Sequence, residues 1–465
     1  MGSAVERRSG GELTGNLRPL QFFTISWGAI VGVAWIPLLG PWLEQSGSLG
    51  AVLAFAFGGA IIMVVAQAYV RVATAVPVSG GEVAYTLALF GKRPAFLVGW
   101  ILCFIYIATA AFEAISIGLI MSWLIPGIQG PVAYEIFGAE VRVGSLALGL
   151  AMTLLLGIVH MTSSRAATGF QDAATILQVL VTIVFVVAGL LFGDVRNLQP
   201  AIPIDDTGLR WAGIASVFAV TPLFYAGFNF AVQAIGERAP DVSVKSIGKA
   251  LTLSFVAAGA FYILVIVVAA MALPREQLLA SELPAAAAFH AAFGSPILGN
   301  LVLTAGLLGL LTTWNALILA AARILHRLAA AELIPFRLGH LHPTRGTPIA
   351  AIAFVTMLTA VGALGGSGAL VPIVATAGLG ITLAYTAVCL ADLRLTRGSP
   401  QRAAWLAFAC TVFVLFVALA EPFLSHPVVH MPLSWWIFAG WAVLGVVVGA
   451  LAPGRSGNGG VEMHP

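Results

Sequence analysis

Runs of about 20 predominantly apolar residues follow one another along almost the whole chain. They lie near 19–43, 48–72, 94–125, 144–160, 169–193, 211–236, 246–273, 296–329, 347–364, 367–392, 402–421 and 432–452. A helix of that length spans roughly 30 Å, the thickness of bilayer hydrocarbon. Backbone polar groups in hydrocarbon must be satisfied within their own segment, so such runs can only be helices or closed barrels, and segments this long are helices. Hydrophobic residues make up 60% of the 465 and charged residues 9%, more apolar surface than a water-exposed fold could cover. The expected architecture is therefore an all-α integral membrane protein with twelve transmembrane helices.

Charge orients these helices. With the N-terminus inside, the outer connections hold only Arg142, Arg196, Arg210 and Arg275, leaving 18 of the 22 Lys and Arg on the inner side. Both tails (1–18 and 453–465) are then expected to be cytoplasmic, in a cell's inner membrane. The net charge of +3 reflects this topology, not a nucleic-acid partner. Residues 1–18 are polar and no A-x-A-type exit follows the first run, so no cleavable signal peptide is expected. Cys103, Cys389 and Cys410 fall inside apolar runs, without zinc spacing or a disulfide framework. No G-x-x-x-x-G-K-[ST] occurs, which removes support for ATP-driven pumping. An intramembrane enzyme would need clustered nucleophiles, acids or metal ligands, which the runs lack. A nutrient receptor that binds without transporting would usually need a signalling domain or long tail, and neither is expected.

Two runs carry their own helix breakers. SWGAIVGVAWIPLLG (26–40) places Gly28, Gly32 and Pro37 in the first, and TPLFYAGFNF (221–230) places Pro222 and Gly227 in the sixth. Irregular backbone at membrane depth is tolerated where it lines a cavity, and paired breaks in corresponding helices of two halves point to a transporter's midplane site. Close packing by small residues is the alternative reading.

Several motifs, in order, resemble those of the amino acid–polyamine–organocation permeases, closest in spacing to the L-type amino-acid transporters. The resemblance covers residues from about 15 to 350. It rests on GAIVGVAWI (28–36), PVSGGEVAY (77–85) and SSRAATGFQD (163–172). YAGFN (225–229) followed by Glu237 and Pro240, and Asn315, Arg323, Pro335 and LHPTRGTP (341–348), complete it. It implies a LeuT-like five-plus-five inverted repeat (19–193 and 211–392) with broken helices 1 and 6, plus two peripheral helices (402–452). Substrate would sit between helices 1 and 6, held mostly by backbone. Gly32, Val33 and Ala34 would turn the chain and offer N–H groups to a carboxylate. Ala29, Ile30, Leu223, Phe224 and Ala226 would offer carbonyls to an ammonium, and Gly227, Phe228 and Asn229 would line the opposite wall.

The sequence departs from the family pattern in places. The family's G-S-G is Gly32-Val33-Ala34 here, which adds two side chains and removes a hydroxyl. Gln178 stands where many relatives carry a lysine in place of a sodium ion. Thr312 and Thr313 lie where sodium-coupled relatives place hydroxyls; hydrogen bonding to their own helix is the competing reading. Glu113 is the one acid expected deep in a run, as a counter-ion for a substrate amine, a proton carrier or a structural carboxyl. Arg71 would snorkel to the headgroups or pair across an inner gate with Glu82 or Glu237. Trp314 would cap the pocket or simply pack. No resident cofactor or metal is expected, only a coupling ion, proton or sodium. The 126–143 connection lacks cysteine, so no disulfide-linked heavy chain is expected there. The resulting expectation is a secondary transporter for a small amino acid, with an amine, polyamine or aminoalcohol as the alternative substrate.

Overall fold

The computed structural model describes residues 17–76, 81–162, 168–205, 208–209, 211–233, 238–294, 296–343, 345–397, 401–425 and 432–452. The tail residues 1–16 and 453–465, and Glu237, lie outside the described residues.

The first expected run divides. Helix α1 (Pro19–Ile30) stops at Ile30, residues 31–34 are non-helical, and α2 begins at Trp35. From there α2 continues to Ala75 as one 41-residue helix, so the gap expected between 43 and 48 is a kink, not a loop. Straight, it would be about 60 Å long, twice the hydrocarbon thickness. Gly47, at φ 71°, bends it. A Cβ there would lie 2.5 Å from the Ala201 carbonyl oxygen, so the bend needs glycine both for its dihedral and for its neighbour. Between two expected runs, α3 (Gly81–Phe90) forms a separate apolar helix of 10 residues, and α4 (Lys92–Leu124) follows at Gly91, φ 87°.

The chain is not purely helical. Strands β1 (Val132–Ile136) and β2 (Ala139–Arg142) pair antiparallel around Phe137 and Gly138, both at positive φ. AEVR alternates apolar and polar residues, a period of two that favours a strand over a helix, and VAYEI carries the β-favouring Val, Tyr and Ile. A two-residue pair, β3 (Ile204–Asp205) with β4 (Gly208–Leu209), closes a second connection.

The remaining elements of the first half are α5 (Val143–Thr162) and α6 (Thr168–Phe192). The sixth run divides as the first does, into α7 (Trp211–Phe224) and α8 (Phe228–Gln233). There follow α9 (Val244–Ala272), α10 (Arg275–Leu279), α11 (Pro284–Phe293), α12 (Pro296–Ala330) and α13 (Phe336–Gly339). The last are α14 (Ile349–Ala363), α15 (Leu370–Leu395), α16 (Arg402–Ser425) and α17 (Leu433–Ala450). Among the described residues nine helices are long and apolar enough to cross a membrane, and α3, α7 and α14 are shorter apolar helices beside them.

Packing places α4 at the centre, against α3, α5, α12, α14 and α15. The outer faces remain apolar: Leu191, Phe416 and Val446 are 71%, 67% and 72% exposed. Water would penalise such surfaces, whereas lipid accepts them. Helix α17 is tied to α4 by reciprocal bonds, the Trp100 indole N–H donating to the Trp441 carbonyl and the Trp441 indole to that of Trp100. Their rings stack 4.6 Å apart.

Candidate substrate site between two helix breaks

The break after α1 begins where Val31, Gly32 and Val33, all poor helix formers, follow one another. Side chains from other helices take over the freed carbonyls. The Tyr262 hydroxyl of α9 donates to the Ile30 carbonyl at 2.8 Å, and the Gln178 amide of α6 donates to that of Val31 at 3.2 Å. The N–H groups of Gly32, Val33 and Ala34 donate to no backbone or side-chain acceptor among the described residues. They stand at the start of α2, where free amides and the helix dipole together favour an anion.

The second break mirrors this chemistry. The N–H groups of Tyr225 and Ala226 fold back onto the carbonyls of Thr221 and Leu223, ending α7. Gly227 then takes φ 125°, and its N–H donates to Asn229 Oδ1 at 3.0 Å, opening α8. A Cβ on Gly227 would lie 2.6 Å from the Ala29 carbonyl carbon and 2.8 Å from the Ile30 nitrogen. The two breaks therefore touch, backbone against backbone, at the one residue type that permits it.

A cavity of about 80 Å³ lies at this contact. Ala29, Ile30, Gly32 and Ala34 line it from the first break, and Leu223, Phe224, Ala226 and Asn229 from the second. Its remaining wall is mostly apolar, with Ile105, Phe112, Leu317 and Ile381 among the side chains. Glu113 of α4 and Thr313 of α12 complete it. Their oxygens lie 3.9 and 3.8 Å from where a Cβ on Gly32 would stand, so both face the first break. Glu113 is 2% exposed, and its Oε2 and the Thr313 hydroxyl have no hydrogen-bond partner among the described residues.

Other expected site residues stand apart from the cavity. Val33, Gly227 and Phe228 do not line it; the Val33 and Phe228 side chains are buried elsewhere, Phe228 against Tyr69 and Tyr385. Thr312 bonds to the Gly309 carbonyl of its own helix at 2.8 Å, so only Thr313 presents a free hydroxyl. Trp314 is fully buried and does not border the cavity, which matches packing and not a cap. The Ile30 and Leu223 carbonyls already accept Tyr262 and Ala226, leaving each one lone pair for an ammonium.

Of the readings open for Arg71, headgroup contact or a gate pair with Glu82 or Glu237, the pair with Glu82 is not formed, and Glu237 lies outside the described residues. Arg71 forms a bidentate pair with Asp392 of α15, the shorter contact being 2.6 Å. Glu82 instead accepts from the Tyr69 hydroxyl at 3.1 Å and the Asn229 amide at 3.0 Å. Glu113 is accordingly not the single buried acid, for Glu82 and Asp392 are each 1% exposed. The Asn229 partner of Glu82 lies 147 residues away in sequence and the Arg71 partner of Asp392 lies 321 away. Tyr262 and Tyr106, which also lines the cavity, are further contributors that no local motif marks.

The Arg71–Asp392 pair is asymmetric, and that asymmetry is measurable. The Arg71 side chain is 34% exposed and can reach water, whereas that of Asp392 is 1% exposed and cannot. Arg71→Ala should lower stability by on the order of 3 kcal/mol by stranding a buried carboxylate. Asp392→Ala should cost less, and the double variant should recover part of the Arg71→Ala loss. Thermal-unfolding midpoints of the purified variants check this; equal or additive losses would contradict it.

Comparison with known proteins identifies the family. A family model described as amino acid permease matches residues 17–456. Branched-chain amino acid permease BcaP of Bacillus subtilis (strain 168) is 24% identical over 439 residues, 90% of this chain and 89% of that one. The methylthioribose transporter of the same organism is 22% identical over 433 residues, with the same coverage of 90% and 89%. Cationic amino acid transporter 7, chloroplastic, of Arabidopsis thaliana is 27% identical over 376 residues, 78% of this chain and 62% of that longer one. With the family match running across all the described helices and both breaks, the chain belongs to the amino acid permease family, and is a multi-pass membrane transporter and not an enzyme.

Proposed function

We propose that the protein is a secondary transporter that carries a small α-amino acid across the cytoplasmic membrane by alternating access. The observation that carries this reading is the run of three free N–H groups, Gly32 to Ala34, at the start of α2 beside the cavity. They suit a carboxylate, while carbonyls ending α1 and α7 suit an ammonium. The apolar walls accept an aliphatic side chain, in keeping with the branched-chain permease among the relatives. On this reading α1 with the start of α2 is transmembrane helix 1, and α7 with α8 is helix 6. Residues 19–193 and 211–392 form two inverted five-helix halves, 402–452 are peripheral, and both tails are cytoplasmic. The central helices rock around the two breaks, with a proton on Glu113 or a sodium ion near Thr313 as the coupling ion.

A second reading, transport of an amine without the carboxylate, is favoured by Glu113, a buried acid facing the same cavity with one oxygen unpartnered. Ligand-induced thermal stabilisation separates the two. Each α-amino acid is compared with its decarboxylated amine, in sodium and in potassium. Ligand at 100 times Kd adds roughly 2.7 kcal/mol of apparent stability, enough to shift the midpoint visibly. Stabilisation by the amino acids alone is the expected result. Stabilisation by the amines alone would transfer recognition from the α2 amides to Glu113, and stabilisation by neither would remove both.

A further inference from the structure

We propose that the groove between α2, α8 and α9 is a binding site for an anionic phospholipid, with Lys245 and Lys249 holding its headgroup. The groove encloses about 590 Å³ and is separate from the substrate cavity. Met63 and Val70 of α2, Val232 of α8 and Phe255 of α9 give it an apolar floor. It opens toward the outer face of α9, where Leu253 and Val256 are 61% and 53% exposed, so its mouth faces lipid chains.

Charge stands at one end of it. Lys245 and Lys249 are four residues apart on α9, hence on one face of the helix, and both are exposed. Neither lysine takes part in an ion pair among the described residues. Two like charges at this spacing, in the first turns of a helix whose N-terminus is itself electropositive, repel each other and the helix dipole. An anion between them relieves both repulsions. An apolar groove open to lipid with a basic pair at its head has the chemistry of a phosphate-bearing amphiphile, and a basic pocket between helices selects anionic headgroups. A free phosphate would satisfy the lysines but leave the groove unused.

The occupant would also touch the transport machinery. Phe228 and Val232 wall the groove, and they belong to α8, the short helix whose Asn229 lines the substrate cavity on its other side. A lipid seated there braces α8 from behind.

The test measures retained lipid directly, independently of any transport assay. The full-length protein is equilibrated in mixed phosphatidylglycerol and phosphatidylcholine of identical chains, repurified, and its bound lipid quantified. Wild type should retain phosphatidylglycerol preferentially. Lys245→Gln/Lys249→Gln should lose that preference by about tenfold, with phosphatidylcholine unchanged. Gly248→Leu addresses the groove separately: Gly248 lines it, and a Cβ there meets nothing within 4 Å, so the side chain enters the groove without clashing. That variant should fold normally and lose retained lipid although both lysines remain. Arg402→Gln, an exposed charge at the start of α16, should change nothing. Equal loss in Arg402→Gln would reduce the effect to diffuse surface charge and overturn the site. So would retention unaffected by both groove variants, or displacement of the lipid by soluble glycerol phosphate.

Discussion

Gly227→Ala is expected to reduce substrate uptake about 100-fold while leaving the protein folded in the membrane. Two independent obstacles meet at this position. The φ of 125° is closed to residues with a Cβ, at a cost of roughly 1–3 kcal/mol. The added methyl would also sit 2.6 to 2.8 Å from the backbone of Ala29 and Ile30, and backbone cannot yield as a side-chain tip does. Forcing the breaks apart by even a few tenths of an ångström separates the donors of the first from the acceptors of the second. A bias of about 3 kcal/mol against the state in which they touch lowers its population by roughly two powers of ten. Gly440→Ala in α17 is the matched control, since its methyl meets nothing within 4 Å and should leave uptake unchanged. Uptake by Gly227→Ala within a fewfold of wild type would mean that contact between the breaks is not needed for transport.

The glycines that make this contact could be read directly, because a breaker inside an apolar run has few explanations in a membrane. Gly32 and Gly227 marked both breaks, and ten of the side chains and backbone positions expected around them do line one cavity. Glu113 could be found for the same reason: one acid in the middle of an apolar run has no local excuse. What could not be read was pairing over distance. Arg71 looked like a headgroup contact until Asp392, 321 residues on, supplied its partner. Glu82 looked available to Arg71, yet it is held by Tyr69 and Asn229, and through Asn229 it reaches the Gly227 amide. Hydropathy likewise separated 19–43 from 48–72, because a kink at Gly47 and a loop interrupt an apolar run in the same way. Side-chain direction was the third gap. Thr312 and Thr313 are neighbours, but only the second faces the break, since adjacent helical residues point about 100° apart.

Glu113→Gln is expected to reduce uptake at least about tenfold across the whole accessible pH range without lowering stability. The second half of that expectation is what gives it meaning. A carboxyl retained for structure would hold a partner, and replacing it would unpair that partner at about 1–3 kcal/mol. Glu113 has no ion-pair partner among the described residues, and its Oε2 bonds to nothing there. Glutamine keeps its volume and polarity while removing the capacity to carry charge or a proton, so the fold should be unchanged or more stable. Function should not survive, because an acid 2% exposed beside the substrate cavity is costly in hydrocarbon and is of use only to a cation or a proton that arrives there. Thr313, with its free hydroxyl on the same side of Gly32, is the natural second ligand for that visitor. Measuring uptake and the unfolding midpoint on the same preparation distinguishes the cases. Wild-type uptake would remove Glu113 from both coupling and recognition, and a loss of uptake accompanied by a matching loss of stability would return it to a structural role. Loss of uptake with the midpoint held or raised leaves the carboxylate acting on what moves through the cavity.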